Sequence, residues 1–174
     1  LRNTYDKLMG NPPSKEDTIN LKDKILAYPG VIGLHDMIIH DYGPGNKFVT
    51  CHIEVDAEID AMKSHDLIDR IERDIEQDEN IQITIHMDPV LINDPRTNRI
   101  KRNILRLMDE YNKKYTIHDF RIMDTDSGTN VIFDVLVPAD ESKNSDMILN
   151  ELKMLIVSKY ENYDPIITID FDYM

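Results

Sequence analysis

Ile81-Gln82-Ile83-Thr84-Ile85-His86-Met87-Asp88-Pro89 alternates without a break, with Ile81, Ile83, Ile85 and Met87 on one side and Gln82, Thr84, His86 and Asp88 on the other. A period of two predicts a half-buried strand with its isoleucines against a core. His86 and Asp88 then leave the same face at the strand's end, where Pro89 is expected to stop it. An imidazole beside a carboxylate is a candidate half of a metal site. It is equally an ordinary polar strand end.

Upstream, Ser14 followed by Glu16 and Asp17 marks a helix start, an N-cap with acids at the positive end of the dipole. Leu21, Ile25 and Tyr28 supply the apolar positions of that helix, and Pro29-Gly30 ends it. A strand from Val31 to about Tyr42 and the turn Gly43-Pro44-Gly45-Asn46 lead to a second strand, Lys47 to Asp56. There Val49, Cys51, Ile53 and Val55 point inward, and Phe48, Thr50, His52 and Glu54 outward. A helix from about Ala61 to Gln77, striped by Leu67, Ile68, Ile71 and Ile75, returns the chain to the Ile81–Pro89 strand. The order is α-β-β-α-β.

After Asn93-Asp94-Pro95 the same order begins again. A helix is expected near Asn98–Lys113, then strands at Tyr115–Asp124 and Asn130–Val137 around the turn Asp126-Ser127-Gly128. Val131, Phe133, Val135 and Val137 share one face of the second of these strands. A helix at about Ser142–Tyr160 and a strand at Ile166–Tyr173 close the unit. His118-Asp119 follows His35-Asp36 by 83 residues, and Thr168-Ile169-Asp170-Phe171-Asp172 follows Thr84-Ile85-His86-Met87-Asp88 by 84. A near-constant offset indicates an internal duplication. The fold class is therefore α+β: two tandem ferredoxin-like α-β-β-α-β units, small open sheets with helices on one face. The expected division is a connector over 1–13, one domain over 14–90 and another over 96–174.

The 174 residues are 41% hydrophobic and 30% charged, a globular composition. No apolar run approaches the ~20 residues that span a bilayer, so the segment as given is expected to be soluble. It has no secretory leader and begins at Leu1, which suggests a piece of something longer. A single cysteine, Cys51, excludes an internal disulfide and fits a reducing compartment. The net charge of −13 argues against nucleic acid and anionic membrane surfaces, which require basic patches. An acidic surface concentrates cations instead. No Gly-rich phosphate loop, zincin motif or nucleophile with a paired base is present, so the chain is not expected to be an enzyme.

In the first unit His35, His52, His86 and Asp88 fall on outward faces or strand ends, and His65, beside Asp66, opens the second helix. All five could approach one edge of the sheet, and imidazole with carboxylate suits zinc and similar divalent ions. No compact spacing such as His-Glu-x-x-His supports the set, and a histidine taken alone is more often structural or surface-exposed. The joint case is stronger, because four of the six histidines occupy site-facing positions. His40 has no partner in this scheme and is expected to be a solvated strand residue.

Four motifs now stand in order: Tyr28-Pro29-Gly30-Val31-Ile32-Gly33-Leu34-His35-Asp36, Cys51-His52-Ile53-Glu54-Val55-Asp56, Lys63-Ser64-His65-Asp66 and Ile85-His86-Met87-Asp88-Pro89. Together with the elements between them, they resemble the C-terminal cytoplasmic domain of the cation diffusion facilitator transporters. The resemblance covers about Leu8 to Pro89, and Tyr5-Asp6-Lys7-Leu8-Met9 resembles the connector leaving that family's last transmembrane helix. It implies a cytoplasmic metal-sensing module of an integral membrane transporter that exports divalent metal by proton exchange. It also implies a homodimer, in which metal bound between protomers draws them together and biases the transmembrane domain of the same chain. By the family's pattern the ligand positions fall on His35, His52, His65, His86 and Asp88, with Asp88 bridging adjacent ions. Zinc is the expected ion, with manganese, iron, cobalt and cadmium as alternatives. The competing reading is a free-standing ferredoxin-like protein that senses or buffers metal.

The second unit departs from that pattern. His118 is kept, Asp134 stands for His52, Asp146 for His65, and Asp170 and Asp172 for His86 and Asp88. Either this copy has decayed to a solvated polar face, or its carboxylates form a site for a harder ion such as manganese or calcium.

Overall fold

The computed structural model of the protein describes residues 13–43, 45–126 and 128–172, with the side chain of residue 172 left out. Of the expected connector over 1–13, all but Pro13 lies outside the described residues, Tyr5–Met9 included. The chain divides between Pro89 and Val90 into two compact units.

The first unit runs α1 (Lys15–Leu26), β1 (Gly33–Asp41), β2 (Lys47–Asp56), α2 (Ala61–Glu79) and β3 (Gln82–Val90), with sheet order β1-β2-β3. The Ser14 hydroxyl accepts from the Asp17 N–H at 3.0 Å and caps α1. Gly30 holds a φ of 103° in the turn that follows. A Cβ there would come within 2.9 Å of Leu67 Cδ2, so glycine lets the turn pass close to α2. Asp60 caps α2, whose buried residues Ser64, Ile68, Ile71 and Ile75 recur at helical spacing. With Ile25 of α1, the three isoleucines cover Val49, Cys51, Ile53 and Val55 of β2 and Ile83 and Ile85 of β3. Glu72 and Glu76 of α2 accept from the Ile85 and Ile83 N–H groups, at 2.8 and 3.5 Å, and so occupy donors of an edge strand.

The second unit repeats this order as α3 (Pro95–Tyr111), β4 (Thr116–Thr125), β5 (Gly128–Pro138), α4 (Ser145–Lys159) and β6 (Tyr163–Asp172), with sheet order β4-β5-β6. β4 and β5 are antiparallel, and β5 and β6 are parallel through the crossover helix α4. Its core joins Val131, Phe133, Val135 and Val137 of β5 to Ile100, Ile104, Leu107 and Met108 of α3 and to Ile148, Leu152 and Ile156 of α4. Each unit is an open sheet with helices, as the α-β-β-α-β pattern requires. Among the described residues no helix is long and apolar enough to cross a membrane.

Several boundaries differ from expectation, β1 beginning at Gly33 and β5 at Gly128 among them, and four differences bear on the reading of the elements. β3 does not stop at Pro89 but continues to Val90, and β6 begins at Tyr163, ahead of Pro165. Both are edge strands, and an edge tolerates proline because one side has no ladder to lose. α3 begins at Pro95, since Asp94 accepts from the Thr97 N–H at 2.6 Å and proline fits the first helical position. α4 is preceded by a separate 3-10 segment, Ala139–Asn144.

Cys51 is buried in the first core. Burial, reinforced by the Glu72 charge, pushes its thiol up to about 12. Iodoacetamide at pH 8 is expected to spare Cys51 in the folded protein and to modify it fully after unfolding. Against a free thiol near ~8.5 the difference in thiolate is roughly a thousandfold, and mass spectrometry of timed quenches reads it.

Candidate metal centre

Three strands and one bulge assemble the first-unit cluster. On β2, His52 alternates with the buried Cys51 and Ile53 and stands on the open face. His35 is its direct cross-strand partner and shares that face. Unbroken alternation from His35 would carry Met37 and Ile39 outward too, yet both pack against the core. A β-bulge resolves the conflict. Asp36 and Met37 together oppose Cys51, and Asp36 takes a left-handed φ of 49°, which aspartate tolerates better than most residues. The extra residue reverses the parity of β1, so His35 points out while Met37 and Ile39 point in.

β3 supplies His86 and Asp88. Asp88 lies on the polar face yet is only 6% exposed, because imidazoles cover it. His52 Nδ1 lies 2.9 Å and His35 Nε2 3.2 Å from its Oδ2, and His86 Nε2 lies 3.2 Å from its Oδ1. The His35 and His52 ring centroids are 5.1 Å apart, and those of His52 and His86 4.7 Å. On its other side His35 Nδ1 lies 3.1 Å from Asp36 Oδ2. Such a carboxylate fixes ring orientation and leaves Nε2 directed at Asp88.

The electrostatics follow from this crowding. Burial alone would lower the His35 pKa, but hydrogen bonds to Asp36 and Asp88 outweigh it and raise the value to about 10. For Asp88, burial pushes upward while hydrogen bonds from His35 and His52 pull harder and hold it below the usual carboxylate range. Two overlapping triads, His35–Asp36–His52 and His52–His86–Asp88, each offer one donor atom per residue within 4.8 Å of the others. Three imidazoles and two carboxylates on rigid strands fit a zinc-class ion.

Two histidines stay apart. The His65 side chain on α2 is 64% exposed, lies 3.6 Å from Asp69 and joins neither triad. His40 is exposed on β1 and stacks on Tyr42 at 6.3 Å.

In the second unit β4 repeats the bulge. His118 is opposite Asp134, Asp119 and Phe120 together oppose Phe133, and Asp119 has a φ of 48°. His118 Nε2 lies 3.2 Å from Asp170 Oδ2 and 4.0 Å from Asp134 Oδ2. By its contacts Asp170 therefore stands where Asp88 does, not where His86 does, and the counterpart of His86 becomes Thr168. The offset at this strand is 82 residues and not 84. Asp146 is exposed in the first turn of α4 and does not join the group, and the Asp172 side chain lies outside the described residues. Sequence reasoning passed over Asp36. The available signal was the recurrence of aspartate directly after the first-strand histidine in both units.

Residues 13–90 match the family described as cation efflux protein, cytoplasmic domain. The first unit belongs to that family. The match ends where the second unit begins. This cation efflux domain is 32% identical over 79 residues to the cation-efflux pump FieF of Yersinia enterocolitica, covering 45% of this chain and 25% of that protein. It is also 32% identical over 68 residues to the cation-efflux pump FieF of Serratia proteamaculans, covering 38% of this chain and 22% of that protein. The chain thus spans about a quarter of the length of these relatives, which are named as pumps and not as enzymes.

Proposed function

We propose that the first unit is the cytoplasmic metal-sensing and dimerisation module of a divalent cation efflux transporter, with zinc as its ion and His35, His52, His86 and Asp88 as its ligands. The observation that carries the reading is Asp88, a buried carboxylate within 3.2 Å of three imidazoles. In this reading the protein is a homodimer linked to a transmembrane domain of the same chain, at the cytoplasmic side of the cell membrane. His65, outside the cluster of its own chain, becomes the ligand that a second copy contributes, so the ion sits between protomers.

The mechanism is linkage. An ion that binds a closed dimer better than an open one shifts the population by that differential affinity and no more. The −13 charge makes two copies repel, and bound cations relieve that repulsion. Zinc is expected to reduce the radius of gyration of the parent chain in small-angle scattering, and His35→Ala/Asp88→Ala to abolish the reduction. Equal compaction in the variant would refute the switch. His65→Ala is expected to weaken zinc-dependent dimerisation in sedimentation while leaving the local zinc cluster able to bind.

A further inference from the structure

The open face of the second unit carries a cluster that the reading above does not use. One residue comes from each strand: His118 from β4, Asp134 from β5 and Asp170 from β6. Their side chains are 13%, 20% and 29% exposed. One donor atom from each lies within 4.8 Å of the others. Asp134 is the cross-strand partner of His118, and Asp170 pairs with Leu136 of the same β5, so register brings all three together.

A divalent cation held by a neutral imidazole and two carboxylates matches the charge of these three side chains. The placement of His118 is also built in. The bulge at Asp119 and Phe120 turns His118 out to the two carboxylates while Phe120 goes into the core, and Arg121 holds Asp119 at 3.2 Å.

We infer that His118, Asp134 and Asp170 form a second cation site, and that its ligand is a manganese(II)-class divalent ion. The donor chemistry separates it from the first cluster. Three imidazoles and two carboxylates favour zinc, whereas one imidazole and two carboxylates, with water completing the shell, suit a harder ion of higher coordination number. The site rests on second-unit residues alone and does not depend on the transporter reading.

The test is a manganese titration of the full chain, followed by the loss of the aqueous Mn²⁺ paramagnetic resonance signal. It is run in a His35→Ala/Asp88→Ala background, which removes the carboxylate shared by the first cluster and leaves there no imidazole with two carboxylates. One manganese is expected to bind there. Adding Asp134→Asn/Asp170→Asn is expected to weaken it by roughly tenfold or more, since loss of a direct ligand costs at least what loss of an outer-shell partner does. Far-UV circular dichroism checks that the variants fold, and the single Asp170→Asn change gives the same reading if the double variant does not. Absence of binding at millimolar manganese, or an unchanged affinity in either asparagine variant, overturns the site. Zinc titration of Asp134→Asn/Asp170→Asn in the otherwise native chain reads the first cluster separately, so failure of one site is distinguishable from failure of the other.

Discussion

Asp88→Ala is expected to lower the zinc affinity of the first unit by at least roughly a hundredfold, more than any single histidine change in the cluster. Loss of an outer-shell partner costs roughly 10- to 100-fold, and Asp88 stands in contact with three donor rings at once. His86→Ala is expected to cost less, because its side chain is 67% exposed and makes one of those contacts. His35→Ala and His52→Ala fall between. Competition against a chromophoric chelator measures the ranking, and an Asp88→Ala affinity within about threefold of the parent would remove the carboxylate from the site. Protons enter the same equilibrium. His35 is protonated at neutral pH because its value stands near 10, so zinc must evict that proton to bind its nitrogen. Calorimetry at pH 7.5 in buffers of different ionisation enthalpy is expected to count about one proton released per His35 engaged. The metal-free unit carries the reciprocal dependence. The raised His35 value gives stability complete below about 6.5 and lost as pH rises through about 10, while the lowered Asp88 value gives stability present above about 3.9 and lost as pH falls through its folded value. The metal-free unit is therefore expected to gain most from these two groups between about pH 4 and 6.5.

The elements with simple periodicity were legible in the sequence, and the irregular ones were not. Val49, Cys51, Ile53 and Val55 read as one face of β2 and are all within 2% of full burial. Val131, Phe133, Val135 and Val137 read the same way on β5 and are wholly buried. Both are central strands, where packing on two neighbours enforces alternation. β1 and β4 broke the pattern, because a bulge inserts a residue and a period of two carries no mark of where. The proline-bearing ends of β3 and β6 were cut short because proline reads as a stop, although an edge strand accommodates it. The counterpart of Asp88 was misplaced by two residues for a related reason. Thr-Ile-His-Met-Asp and Thr-Ile-Asp-Phe-Asp keep the same alternation under a shift of two, so only contacts in three dimensions choose between Asp170 and Asp172. Four of the five candidate residues of the first unit could be placed on one face from the sequence, because strands point alternate residues to one side. His65 sits on a helix, and no strand periodicity governs where it points.

Phe133→Ala is expected to destabilise the second unit by about 3–5 kcal/mol. Phe133 is wholly buried at the middle of the central strand, opposite the bulge, and its ring lies 6.0 Å from that of Phe120. Removing it withdraws support from the bulge residue as well as from the core, so little collapse into the cavity is available. A unit of this size has a stability of roughly 4–13 kcal/mol, so the loss takes a large share of it. Phe133→Leu keeps most of the volume and is expected to cost about 1–2 kcal/mol. Hydrogen exchange gives the location as well as the size of the effect. Protection should fall at the Val131, Val135 and Leu152 amides and persist at Ile53, Ile71 and Ile75, because the two cores are separate clusters with no buried residue in common. Equal loss in both sets would mean that the units unfold as one. Persistence in the first set, with zinc affinity unchanged, would show that the cation efflux domain holds its ligand geometry on its own core.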